Sequence, residues 1–289
     1  MMGHFLEFDP AASANPCSPY AVLPAPYERS VSYMRGTARA PAAILDASVQ
    51  TELYDEELGV TPQLAVQTLP EVDCVTGSDA DALERIHSAA LPVMRAGRFV
   101  LSLGGEHTVT VPLVRAATKA FGPVSVLQLD AHADLRNTYE GREYSHACAM
   151  RRLVDDGLRV VHVGIRSVCE EEARLIAERR LPVIWARRIV SEPAEKWIAT
   201  ALEALGPKVY VTMDIDGLDP AIVPGTGTPE PGGLGWYPLL QLLRTVFAER
   251  EVVGADIVEV VPVPGMVVSE FVAARLAVKM LTYHRRRDI

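Results

Sequence analysis

Only four cysteines occur in 289 residues: Cys17, Cys74, Cys148 and Cys169. No C-x-x-C pair and no zinc-type spacing relates them, and a chain this long needs no covalent staples, so a disulfide framework is excluded and a reducing, cytoplasmic setting is expected. Positive charge is also short. The 28 Lys and Arg residues stand against 37 Asp and Glu, a net charge of −9. This argues against nucleic acid or an anionic membrane as partner, since both need a basic stripe to neutralise phosphates. A small cationic molecule suits the balance better. No apolar stretch reaches the roughly 18–20 residues of a membrane span, and MMGHFLEFDPAASANP has no basic region followed by an apolar one. A soluble, unexported protein is expected.

What is present is apolar sequence in short pieces. Hydrophobic residues make up 49% of the chain, enough for a large core. After an irregular, proline-rich opening (1–19), runs rich in β-branched residues recur at 20–23, 64–69, 98–103, 124–129, 159–165, 182–186, 208–213 and 252–260. Most are continuously hydrophobic, as strands covered on both faces are. Amphipathic stretches near 40–48, 79–96, 109–120, 146–156, 169–180, 188–205, 237–249 and 269–284 lie between them, with Ser78 and Ser269 as candidate helix caps. The alternation predicts one α/β domain over 1–289: a mainly parallel, eight-stranded sheet in three layers with helices on both faces.

In such a sheet ligands gather beyond the carboxyl ends of the strands. Three of these exits carry metal-type ligands. VLQLDAHADLR ends its strand in Asp130, His132 and Asp134, spaced two apart, a spacing that puts side chains on one face of an extended chain. RFVLSLGGEH delivers Glu106 and His107 through two glycines, and KVYVTMDIDGLDP leaves with Asp214 and Asp216. GADIVEVVP adds Glu259 near a fourth exit. Oxygen donors with two imidazoles and no thiolate suit Mn²⁺ or Fe²⁺ better than a sulfur-rich zinc site. Four buried aspartates carry −4, so one divalent ion leaves half the charge uncompensated and two are expected. A two-metal pair lowers the pKa of a bridging water, which points to metal-assisted hydrolysis.

GGEH (104–107), DAHAD (130–134), MDIDGLDP (213–220) and GTGTPEPGG (225–233), in this order, resemble the ureohydrolases, the family of arginase and agmatinase. The likeness also takes in APYERSVSYMRGTARAPAAIL (25–45) and DIVEV (256–260), and through DAHADLR, YSHACAM (144–150) and GTPEPGG it leans towards agmatinases. The resemblance implies an arginase-like fold, two Mn²⁺ per chain, a trimer or hexamer, and cleavage of a guanidino group to urea and an amine, with agmatine as first substrate. It implies that His107, Asp130, Asp134 and Asp214 hold one ion and Asp130, His132, Asp214 and Asp216 the other, with a hydroxide between them. Glu259 would bind the guanidinium and His146 would relay a proton, so that His146, Asp134 and Glu259 form the catalytic set. In arginases the position two beyond the last aspartate of D-x-H-x-D is typically an asparagine that helps read the amino acid's carboxylate; here it is Arg136. Glu140, Glu143 and Glu230 offer negative charge that would attract a distal ammonium and repel an acid. Arg136 keeps guanidinobutyrate open as an alternative, as aminopropyl-agmatine and arginine remain.

Bland readings stand beside these. Glu106 is expected to be a helix-start or supporting group, Cys148 a small buried side chain, His162 a satisfied core or interface residue, and His4, His87 and His284 lie outside every motif. The rival functions are another hydrolase on this architecture, such as a zinc deacetylase, and a non-catalytic metal-binding relative.

Overall fold

The computed structural model describes residues 3–6 and 15–286; much of the irregular stretch expected at 1–19 falls outside the described residues. Eight strands form one sheet: β1 Tyr20–Ala25, β2 Val66–Thr68, β3 Phe99–Gly104, β4 Ser125–Leu129, β5 Arg159–Ile165, β6 Val183–Trp185, β7 Lys208–Asp214 and β8 Glu251–Val258. Their order is β2-β1-β3-β8-β7-β4-β5-β6, every pairing parallel. The helices are α1 Ala40–Ser48, α2 Asp79–Arg95, α3 Thr110–Phe121, α4 Ala149–Asp155, α5 Glu170–Arg179, α6 Ala186–Ser191, α7 Ala194–Ala204, α8 Trp236–Glu249 and α9 Val268–Arg286. No described helix is long and apolar enough to cross a membrane.

Continuous apolar strands make sense here because both sheet faces are buried. Neighbouring residues of one strand feed different cores: Leu101 and Leu127 pack with Ile44 of α1, Trp197 of α7 and Leu239 of α8, while Val100 and Val126 pack with Ile86 of α2, Leu113 of α3 and Met150 of α4. This is the period of two that a pleated strand imposes.

Two local expectations change and one holds. The amphipathic stretch 188–205 is two helices, because Pro193 has no N–H to continue the first and instead precedes α7. Ser78 does cap α2, in a reciprocal pair with Asp81. Ser269 caps nothing; it lies inside α9, where its hydroxyl accepts the Gly225 N–H at 2.7 Å and ties down the GTGTPEPGG loop.

The Gly104–Gly105 exit of β3 is where sequence and sheet meet most tightly. Gly105 donates to Ala25 O and accepts from Glu259 N, so it joins the ends of β1 and β8. A Cβ there would stand 2.8 Å from the carbonyl carbon of Tyr27. Because the obstacle is backbone, Gly105→Ala is expected to cost about 1–3 kcal/mol, read as a lower denaturant midpoint at unchanged slope. An unshifted midpoint would show that the 25–27 segment yields.

Candidate active site

The four central strands, β3, β8, β7 and β4, are neighbours in space although their exits are far apart in sequence. Strand order runs outward in both directions from this point, the switch where α/β sheets open a crevice. β3 exits into a 3-10 turn beginning at His107, β7 ends on Asp214 and turns through Ile215–Gly217, and Glu259 follows β8. The D-x-H-x-D stretch is not an extended run, as its alternation implied. β4 stops at Leu129, and Asp134 adopts a left-handed φ of 54°, as does Glu259 at 62°. Such conformations are uncommon outside glycine and cluster at functional sites.

These exits bring the charged groups together. His107 Nδ1 lies 2.9 Å from Asp134 Oδ2, 3.1 Å from Asp130 Oδ2 and 3.3 Å from Asp214 Oδ2. His132 Nδ1 lies 3.0 Å from Asp216 Oδ2 and 3.7 Å from Asp130 Oδ1. Two groups of possible ligand atoms result, His107–Asp130–Asp134 and Asp130–His132–Asp216, and Asp130 belongs to both.

The hydrogen bonds around His107 fit a metal. Thr212 Oγ1 donates to Asp256 Oδ1 at 2.6 Å, so it accepts the His107 Nε2 proton at 2.8 Å. That assignment leaves the Nδ1 lone pair aimed at the three carboxylates, an arrangement that a cation between them would satisfy. The carboxylates in turn lack enough positive charge. Burial, followed by repulsion from Asp134 and Asp216, pushes Asp130 up to about 7; Asp214 is raised well above the carboxylate range by burial and by Asp216 and Asp130. Burial would raise Asp216 too, but the His132 imidazole outweighs it and holds the group at about 2. His132 is accordingly lifted to about 10, Asp216 overcoming the opposing effect of burial. Only oxygen and imidazole donors converge here, so the set fits hard divalent cations.

A cleft of about 270 Å³ opens over this centre. His132, Asp134, Asp214, Asp216 and Glu259 form its floor, and His146, Tyr139, Arg136, Ser32, Cys169 and Glu172 are among its walls. Glu259 Oε1 accepts the His107 N–H at 2.7 Å. Burial and the nearby Glu106 push its carboxyl well above the usual range.

Arg136 lines the cleft, stacked 5.5 Å from the Tyr139 ring. Glu140, Glu143 and Glu230 are not among the residues that line it. Glu140 is exposed in the Tyr139–Arg142 turn, Glu143 is exposed with its carboxylate 3.8 Å from Arg152, and Glu230 offers its carbonyl oxygen, not its side chain, to Arg166. Glu172, which sequence reasoning passed over, is the outer acid. Its oxygens accept the Leu135 and Cys169 N–H groups at 2.9 and 2.8 Å. Arg166 was missed as well; its guanidinium donates to the carbonyls of Gly164, Asp216, Gly217, Leu218 and Glu230, fixing the turn that carries Asp216. A pattern of carbonyl contacts leaves no sequence signature.

Glu106 proves to be a supporting group and not a helix cap. It starts the turn at His107 without a side-chain capping bond and turns its carboxylate towards residues 29 and 30. Cys148 and His162 are buried, the latter held at about 4 by desolvation.

The family model described as "Arginase family" matches residues 18–282. The chain belongs to the arginase family. It is 44% identical over 271 residues to the N(1)-aminopropylagmatine ureohydrolase of Synechocystis sp., covering 91% of this chain and 88% of that protein. It is 36% identical over 253 residues to the agmatinase of Bacillus anthracis, covering 82% of each. The agmatine ureohydrolase of Thermoplasma volcanium superposes with a TM-score of 0.84 at 30% identity, over 99% of this chain and 95% of that one. Membership makes the chain a ureohydrolase of a binuclear metal-dependent family and removes the zinc-deacetylase alternative.

Proposed function

We propose that this ureohydrolase is a binuclear manganese enzyme that cleaves a linear guanidino-amine to urea and an amine, with N(1)-aminopropylagmatine preferred over agmatine. The observation that carries the reading is the pair of ligand clusters sharing Asp130 on the floor of a cleft that also presents Glu259. His107, Asp130, Asp134 and Asp214 would hold one ion, and Asp130, His132, Asp214 and Asp216 the other. Bound there, two divalent ions would supply a nucleophile by lowering the pKa of water and would stabilise negative charge during attack.

The chain's own residues do the rest. A guanidinium carries only N–H donors and stays protonated, so Glu259 is its natural seat, and a bound cation supplies the counter-charge its burial denies it. His146 stands on the cleft wall as the group that hands a proton to the leaving amine. With four aspartates committed to metal, Glu172 is the acid left facing the substrate's tail, which favours an amine. The sequence put agmatine first; the 44% identity to an enzyme named for the aminopropyl derivative moves the preference to the longer amine. Arg136 favours the second reading, a guanidino acid such as guanidinobutyrate.

The test is kcat/KM for urea release from N(1)-aminopropylagmatine, agmatine, guanidinobutyrate and arginine at one manganese loading. The two amines are expected to exceed arginine by on the order of 10²-fold or more, because an α-carboxylate would be buried without a partner. Guanidinobutyrate in the lead would transfer the assignment to Arg136. No urea from any of the four would favour a non-catalytic role.

A further inference from the structure

We propose that Ser30 and Glu106 are positioning residues that hold His146 in its Nδ1–H tautomer, leaving Nε2 as the atom that carries the proton. This rests on the reading of His146 as the proton relay, and adds a device that sets which of its nitrogens can act.

Glu106 is a fully buried carboxylate. Its Oε2 accepts the Arg29 and Ser30 N–H groups, both at 2.7 Å, and its Oε1 accepts the hydroxyls of Ser30 and Thr108, both at 2.6 Å. Four donors thus converge on its two oxygens, and the carboxylate accepts from each of them. The single proton of the Ser30 hydroxyl is therefore committed to Glu106. Ser30 Oγ can then only accept from its other neighbours, which are the His146 backbone N–H at 3.1 Å and His146 Nδ1 at 3.2 Å. A bare Nδ1 would set lone pair against lone pair at that distance; a protonated one completes the bond.

The chain Glu106–Ser30–His146 thus fixes the ring. Nε2 is left on the other side, 2.8 Å from Ser32 Oγ, with Tyr139 edge-on to the imidazole at 5.3 Å between centroids. Both Ser32 and Tyr139 line the cleft. In turnover the imidazolium gives its Nε2 proton to the departing nitrogen as the C–N bond opens and its electron pair moves to that nitrogen. The ring returns to the neutral Nδ1–H form, and no proton moves along Ser30 or Glu106. Two competitors are present: Ser145 Oγ lies 3.4 Å from Nδ1 and as a donor would enforce the opposite tautomer, and Ser32 Oγ would do the same if it kept its proton on the Tyr139 hydroxyl, 3.0 Å away, and accepted from Nε2. In the proposed arrangement Tyr139 donates to Ser32 and Ser32 donates to Nε2.

The tautomer is read directly by two-bond ¹H–¹⁵N correlation of the histidine rings in the full chain free of paramagnetic metal, with His146→Gln assigning the signal. The parent protein is expected to show the Nδ1–H form, Ser30→Thr the same form, and Ser30→Ala a shift towards Nε2–H. Glu106→Gln gives an independent arm: its amide NH₂ donates to Ser30, the freed hydroxyl turns to Nδ1, and the tautomer flips. In manganese-loaded enzyme Ser30→Ala should lower kcat by about 10-fold with KM held within about 2-fold, and Ser30→Thr should restore it. An Nε2–H parent would assign the ring to Ser145 or Ser32 and overturn the proposal, as would an unchanged tautomer in both Ser30→Ala and Glu106→Gln. The ring signal is independent of turnover, so absence of urea release from every guanidino compound would defeat the proposed function and leave this test standing.

Discussion

Asp130→Asn is expected to lower bound manganese from two ions per chain to one or none and to reduce urea release by about 10³-fold or more, since both ions and their activation of water depend on this residue. Asp130 is the residue common to the two ligand clusters. Its environment leaves no way to compensate. Oδ1 accepts the His132 N–H at 2.6 Å, and Oδ2 accepts from Gln128 Nε2 at 2.7 Å while facing His107 Nδ1 at 3.1 Å. An amide keeps the shape but turns one oxygen into a donor, placed against the His132 N–H or the Gln128 amide. Metal analysis of the purified variant beside its kcat/KM is the check. Two tightly held ions with an intact rate would refute the shared-ligand assignment.

Metal removal should make stability fall as pH rises. Asp130 is held at about 7 in the fold against an ordinary value near 3.9, so between these limits the folded state binds more protons than the unfolded one and loses stability with increasing pH. Asp214 and Glu259, also raised by burial, act in the same direction. His132, lifted to about 10 by Asp216 against burial, stabilises the fold below the ordinary histidine value and loses that contribution as pH climbs towards 10. Asp216, held at about 2, is ionised throughout and adds no slope, and His162, held at about 4 by burial, opposes the trend only below the ordinary histidine value of about 6.5. The metal-free protein is therefore expected to melt roughly 5–15 °C lower at pH 9 than at pH 5, at about 2–4 °C per kcal/mol. Manganese should reverse the trend, because its ligands must be deprotonated to bind. Calorimetry of chelated and loaded protein across pH 5–9 decides; a metal-free melting temperature that rises with pH would overturn the charge argument.

Much of this was legible because parallel strands announce themselves. The runs at 98–103, 124–129 and 208–213 are β-branched and buried on both faces, and each stops where a charged motif starts. The motifs were readable as chemistry because His107, Asp130 and Asp214 are residues whose burial needs a reason. Ser30, Ser32 and Arg166 could not be read in that way: serine is common in loops, and an arginine bound to five carbonyls has no charge partner to suggest it. That Glu140, Glu143 and Glu230 do not line the cleft was illegible for the related reason that loops have no period, so nearness in sequence to DAHAD or GTPEPGG says nothing about which way a side chain faces. Glu172 escaped notice because the first turn of α5 contains three consecutive glutamates, and only the fold distinguishes the one turned inward.

The strand order has a consequence for synthesis. The first six strands complete two separate three-stranded sheets, β2-β1-β3 and β4-β5-β6, and each leaves one edge unpaired until β7 and β8 are inserted between them. At ribosomal rates of about 5–20 residues per second, the edge of β3 waits on the order of ten seconds for β8 to be made. During that interval two apolar edges with free backbone donors and acceptors are open to other chains, the condition under which nascent proteins aggregate or engage chaperones. His107 and Asp130 follow the ends of those two strands, so they meet only after the C-terminal strands have joined the sheet, and metal capture would report that the chain has finished folding.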